Sequence, residues 1–440
     1  MTKVSELMLP ILVLIMVMYM MHVHLVLSVQ MPMVPSCPLN SSIVLMLATE
    51  PILPSGNMIV TYGPPGPWTI VKYGNLEYLL QINMWNLASV GYGNETLTFS
   101  NKTGEICFSS FISNVTLISP SGGVWGYPGI YLDGIFPGGQ VNIRNPLLPL
   151  PLTVSDLVNG SYSDRLIVLN YSMWVPDNEP MDWSYDIWLT TAPAPSASLN
   201  HGAELMIWLY TTTPVFSWAD TGIKVNIPVT VNGSLINETF DVHVDCYHGS
   251  GSTYWTYIAF VPLNGGFENG YVSISLKPFL QYMVKVFPLT CPSLWSSRDQ
   301  VTKLWMDVIT LGSEYGNDQW VSYPGWGVIA WRLYEASIVV PGLTQVTKTA
   351  TTTTTVTETV TTTITSPELV TSTSIVTETS TLVETVSSTT TLSTTLTKLA
   401  TVTSTVTIIR QVISETVVWW VLVIVIIVAI ALVVLRERII

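Results

Sequence analysis

The sequence predicts an all-β protein, and three observations carry that expectation. Sixteen Trp and 19 Tyr stand beside 28 Gly and 28 Pro in 440 residues, a balance of turns and aromatic surfaces unlike that of a helical bundle. Short runs rich in β-branched and aromatic residues recur, separated by turn clusters. Helical periodicity is confined to Ser275 to Val286, where Leu276, Phe279, Leu280 and Met283 recur at helical spacing and predict one short helix packed on the sheets.

Taken in order, residues 1–29 begin with Lys3, run apolar from Leu7 to Met21 and end near Ser28. They read as a secretory signal or, uncleaved, as an N-terminal anchor. Residues 30–342 form the external domain. Its expected strands include Glu77 to Trp85, Leu166 to Trp174, Ser184 to Thr190, Glu204 to Tyr210, Tyr254 to Val261 and Trp331 to Val340. Residues 343–416 turn abruptly to Thr, Ser, Val and Glu without aromatics, and predict a disordered, hydroxyl-rich stalk reaching on the order of 200 Å when extended. Residues 417–435 are unbroken apolar sequence opening near Trp419 and Trp420, the pattern of a transmembrane helix. Arg436 and Arg438 place the tail, 436–440, in the cytoplasm and the domain on the extracellular face of the membrane.

A net charge of -13, from 16 Lys and Arg against 29 Asp and Glu, argues against a nucleic-acid partner, because phosphate binding needs clustered cations. Sequons at Asn40, Asn94, Asn101, Asn114, Asn159, Asn170, Asn232 and Asn237 fit a glycosylated surface. Cys37, Cys107, Cys246 and Cys291 suggest up to two disulfides, with all three pairings open.

Histidine offers little chemistry, since His22 and His24 fall in the leader. A metal at His243, Asp245, Cys246 and His248 is disfavoured, because regular alternation puts His243 and Asp245 on one face of a strand and Cys246 and His248 on the other. No metal or other cofactor is expected. Carboxylates are better candidates. In ELMIWLY, alternation places Glu204, Met206, Trp208 and Tyr210 on one face and plain core residues on the other. An acid among Met and aromatics suits a sugar cleft. The preceding strand carries Asp186 and Trp188 on a shared face, and a hairpin through about 191–202 would bring Asp186 beside Glu204 and tune its ionisation. Glu314 shares its face with the small residues Gly312, Thr310 and Val308, which leave room for a substrate.

These motifs resemble family 12 glycoside hydrolases, the endo-β-1,4-glucanase family of retaining cellulases. The resemblance rests on Trp68, YLLQINMW (78–85), GYPGIYLDG (126–134), SYDIWLT (184–190), ELMIWL (204–209), SISLKPFLQY (273–282) and LGSEYG (311–316), in the family's order. It implies a concanavalin A-like β-jelly-roll sandwich, here in an archaeal-type arrangement with stalk and C-terminal anchor. Glu204 would be the nucleophile, Glu314 the general acid/base and Asp186 the carboxylate supporting Glu204. Met206 would line the cleft, Asn83 and Trp85 would belong to the substrate-binding motif, and Trp68, Tyr127, Trp188 and Trp208 would complete the glucan-binding surface. The family's Gly after Asn-x-Trp is Asn86 here, and the stretch from Phe216 to Gly251 is longer than usual. Glu335, in LYEASIVV, is a lesser rival for the acid/base role. The expected activity is hydrolysis of internal β-1,4-glucosidic bonds by a monomeric domain. The alternatives are a non-catalytic, lectin-like surface protein and a structural envelope glycoprotein. Sparse charge and net acidity further suggest function in acid, where few paired carboxylates are lost on protonation.

Overall fold

The computed structural model describes residues 34–341 except 120–123, 140, 177–178, 180, 215, 251 and 317–325, together with residues 358–359 and 375–376. The chain divides into two compact units, 1–346 and 347–440. In the first, the elements begin with β1 (Ile43–Ala48), β2 (Met58–Thr61), β3 (Trp68–Tyr73), β4 (Leu76–Gln81), β5 (Leu87–Phe99), β6 (Ile106–Leu117), β7 (Gly129–Ile135), β8 (Asn142–Ile143) and β9 (Leu152–Thr153). There follow α1 (Val154–Val158), β10 (Leu166–Trp174), β11 (Met181–Thr190), β12 (Ala203–Thr211), β13 (Asp220–Val231), β14 (Ser234–Ser250), β15 (Thr253–Pro262) and β16 (Asn269–Ser275). The unit closes with α2 (Leu276–Thr290), α3 (Arg298–Thr302), β17 (Trp305–Tyr315) and β18 (Trp326–Val339). In the second unit, the described residues are β19 (Glu358–Thr359) and β20 (Ile375–Val376), which pair antiparallel.

Pairing divides the strands into two runs. The first is β2-β1-β5-β6-β18-β10-β16, antiparallel except between β1 and β2. The second is β3-β4-β7-β17-β11-β12-β15-β14-β13, antiparallel except between β12 and β15. Among the described residues the runs pair with each other only at a corner, where Thr230 and Val231 of β13 pair with β16. Elsewhere they stack face to face, as a jelly-roll sandwich requires. The Trp183 ring of β11 lies 5.0 Å from Trp331 of β18 and 5.5 Å from Tyr171 of β10, so these aromatics join the layers. Burying a ring of this size contributes on the order of 4 kcal/mol, an upper estimate.

Strict alternation builds this core. Along β10, Ile167, Leu169, Tyr171 and Met173 are buried while the residues between them are half-exposed. Helix α2 starts at the Ser275 cap, whose side chain accepts from the Lys277 amide, and buries all four residues that announced it. It runs to Thr290, beyond the expected Val286, because Phe287 also enters the core; Pro288 is accommodated in the last turn. The one-turn helices α1 and α3 were not expected beside it. The strand expected over Glu77 to Trp85 ends at Gln81, since Ile82 and Met84 turn to bond Pro67 and Pro65 carbonyls.

Disulfides join Cys37 to Cys107 and Cys246 to Cys291. The sequon asparagines are exposed, except Asn170, which is half-buried. Among the described residues no helix is long and apolar enough to cross a membrane. The leader, nearly all of the stalk and the 417–435 span lie outside the described residues.

Candidate active site

The second sheet carries apolar residues on both faces. Its inner face belongs to the core, whereas its outer face carries a separate cluster of Tyr127, Met206, Tyr257, Ala259 and Val261, with Trp208 and Phe216 packed against it. An apolar floor outside the core, with carboxyls rising from it, is the setting of a binding cleft.

Three adjacent strands place the acids. In the middle strand β11, Asp186 stands opposite Met206 of β12 on one side and Thr310 of β17 on the other. Trp188 stands opposite Glu204, and Asp182 opposite Glu314. The 191–202 connection thus returns the chain as a hairpin. The residue directly across from Glu204 is Trp188, with Asp186 diagonal to it. All these positions share the outer face, because partners across a ladder point to the same side.

Hydrogen bonds fix the acids. The Trp255 indole donates to Glu204 Oε2 at 2.6 Å, and the Trp188 indole donates to Asp186 Oδ2 at 3.0 Å. The two indoles meet edge to face at 5.2 Å, and Phe136 closes on Trp188 from 5.6 Å. Ser184 donates to Asp182 Oδ1 at 2.6 Å, and the Glu314 amide and carboxyl also bond Asp182. Below them Tyr257 donates to Met206 Sδ at 3.2 Å, and Tyr127 to the Ser184 carbonyl at 2.7 Å.

These carboxyls sit in low dielectric and act on one another. Burial, and then the charges of Asp182, Glu204 and Asp186, push Glu314 well above the ordinary carboxyl range. Glu204 is raised by burial and by Asp186, against which the Trp255 donor favours its ionised form. Burial lifts Asp182 and Asp186 to about 7 each. So crowded a set cannot all ionise together, and its protons belong to the group as a whole.

The other expected residues fall at distinct levels. Trp68 and Trp85 are 54% and 44% exposed, presenting open indole surface, and Asn83 is half-buried. Trp208 is half-buried and stacks on Phe216 at 5.5 Å. Met206, Tyr127 and Trp188 are buried and build the floor and its supports. Asn86 is buried and holds the loop, its Nδ2 donating to the Val124 and Ser119 carbonyls. Glu335 stands opposite Asn170 in the first sheet and accepts from Tyr271 of β16 in that same sheet at 2.6 Å, so it belongs to the layer that does not carry Glu204 and Glu314.

The alternation expected over 243–248 is corrected by a bulge after Asp245. Asp245 stands opposite Tyr257 and His248 opposite Trp255, so His248 joins the Asp245 face and its Nδ1 lies 3.3 Å from Asp245 Oδ2. Cys246 is committed to its disulfide and offers no thiolate. Three contributors escaped the sequence reading: Asp182, Trp255 and Tyr257. Asp182 has the same parity as Asp186 along the strand, so alternation alone puts it on the Asp186 face. The two aromatics reach Glu204 and Met206 through the parallel β12–β15 pairing, which no local pattern announces.

No protein-family model matches the chain, and no curated protein matches it. Several solved structures are similar to it. A family 12 xyloglucanase from Bacillus licheniformis is 16% identical, with a TM-score of 0.42 over 62% of this chain and 98% of that one. Endoglucanase cel12A from Rhodothermus marinus is 20% identical, with a TM-score of 0.40 over 62% of this chain and 96% of that one. Endoglucanase 3 from Trichoderma harzianum, of family GH12, is 16% identical, with a TM-score of 0.39 over 62% of this chain and 95% of that one.

Proposed function

We propose that the chain is a retaining endo-β-1,4-glucanase acting outside the cell. The observation that carries this reading is the placement of Glu204 and Glu314 on the two strands flanking β11, on one apolar face, with Asp186 and Asp182 between them.

In the reaction Glu204 attacks the anomeric carbon while the bond to the leaving oxygen breaks and that oxygen takes the Glu314 proton. Water then gives a proton to Glu314 and attacks the same carbon, releasing Glu204. The electrostatics suit both halves. Glu314 is held protonated by burial and then by the negative groups around it, and glycosylation of Glu204 removes one of those charges, so Glu314 can serve as the base. The open indoles of Trp68 and Trp85 supply flat surface for pyranose rings. No metal or cofactor enters the scheme. The domain acts as a monomer, held by a hydroxyl-rich stalk and a C-terminal membrane helix.

The same surfaces could bind glucan without cleaving it, as a lectin would. The assay that decides is release of reducing ends from soluble carboxymethylcellulose, mixed-linkage glucan and xyloglucan. The glucanase reading expects release from at least one, lost in Glu204→Gln and in Glu314→Gln. Binding without release would favour the lectin, and near-normal turnover by either variant would refute the assignment.

A further inference from the structure

A cavity of about 610 Å³ opens where β12 and β15 begin, bounded by Thr191, His201, Tyr254, Trp255, Gln300 and Lys303. Its volume lies within the range of about 300 to 1,000 Å³ usual for small-molecule sites. It adjoins the candidate site through Trp255, whose indole serves Glu204, but Glu204 itself does not line it.

Its walls have a definite chemistry. The His201 ring meets Tyr254 edge to face at 4.7 Å, and Tyr254 in turn leans on Tyr247 at 5.3 Å. His201 adopts a φ of 63°, a left-handed conformation costly for a residue with a Cβ. The surroundings hold it there: its amide donates to the Tyr254 carbonyl at 2.8 Å, and the Tyr254 amide donates to Asn200 Oδ1 at 3.1 Å. Charge is present but balanced, since Lys303 Nζ lies 2.6 Å from Asp299 Oδ2. Aromatic edges beside hydrogen-bonding groups without net charge favour a neutral, polyhydroxylated ligand over an anion, a cation or a lipid.

We propose that this cavity is a second, non-catalytic glucan-binding site, which holds a neutral chain segment beside the catalytic cleft. The choice of sugar rests on the β-glucan reading of the cleft. Simultaneous occupancy would raise the effective concentration of a long chain at the cleft without any new contact there.

The test is calorimetric titration of the full chain with cellotetraose, in a Glu204→Gln background that prevents turnover. His201→Gly removes the ring while placing at φ 63° the residue best suited to it, so the turn is preserved. Trp85→Ala weakens the cleft. Two ligands per chain in the parent, falling to one in His201→Gly and to one in Trp85→Ala, is the expected result. One ligand unaffected by His201→Gly would overturn the second site and leave the cleft reading intact. One ligand lost in His201→Gly but kept in Trp85→Ala would support the second site and count against the cleft. No binding at all would overturn both.

Discussion

Asp182 of β11 and Glu314 of β17 stand directly opposite each other, two carboxyls joined by a hydrogen bond. Ser184 and the Glu314 amide supply further donors to Asp182, so it is the better placed of the two to carry negative charge. Asp182→Asn should therefore lower the pKa of Glu314, the effect of removing a like charge at contact distance. Infrared titration of the carboxyl band, assigned by its absence in Glu314→Gln, reads this directly. An unmoved Glu314 would show that burial alone sets its ionisation.

Trp255 gives Glu204 its indole hydrogen. Trp255→Phe keeps most of the ring and removes the donor, so the ionised form of Glu204 loses support and its pKa rises. The acid limb of the kcat/KM profile should move to higher pH, and kcat at its plateau should fall roughly ten-fold, as loss of one charge-assisted bond costs about 1.5 kcal/mol or more. A uniform loss of activity with the limb unmoved would mean that Trp255 serves packing alone.

Much of this site was legible in local alternation. Glu204, Met206 and Trp208 share the face expected of them, as do Asp186 and Trp188, and the hairpin sets the two strands side by side; Tyr210, expected on that same face, is turned by a bulge to stand opposite Trp183 and packs on the main core. Alternation fails where pairing is irregular or non-local. A bulge turns His248 to the face opposite the expected one, and the parallel neighbour β15 brings Trp255 to Glu204 from far along the chain. The strand expected to reach Trp85 stops at Gln81 because backbone bonds to two proline carbonyls draw Ile82 and Met84 into a turn. Turn geometry of that kind leaves little trace in hydrophobic pattern.

Acid groups outside the cleft govern stability. Glu95 is fully buried, accepts from Ser110 at 3.1 Å and from Tyr315, and burial lifts it to about 8. Asp133, also fully buried, is lifted to about 7 by the same cause, despite bonds from the Asn145 and Leu150 amides. Both values exceed the roughly 4 of an unfolded chain, so the fold binds these protons more tightly than the unfolded state does. Their contribution is complete below about pH 4 and is lost as pH rises through 7 and 8. Melting followed by circular dichroism should show Tm higher at pH 5 than at pH 9 by about 5 °C or more, with a smaller difference in Glu95→Gln. A Tm that rises with pH would contradict the assignment.

The nucleophile can be identified without reference to turnover. A 2-deoxy-2-fluoro cellobioside with a good leaving group slows the second displacement and leaves the sugar on the attacking carboxylate. Peptide mass spectrometry of the treated chain should find that adduct on Glu204, and none in Glu204→Gln. An adduct on another residue, or none in a chain that still cleaves β-glucan, would contradict the account.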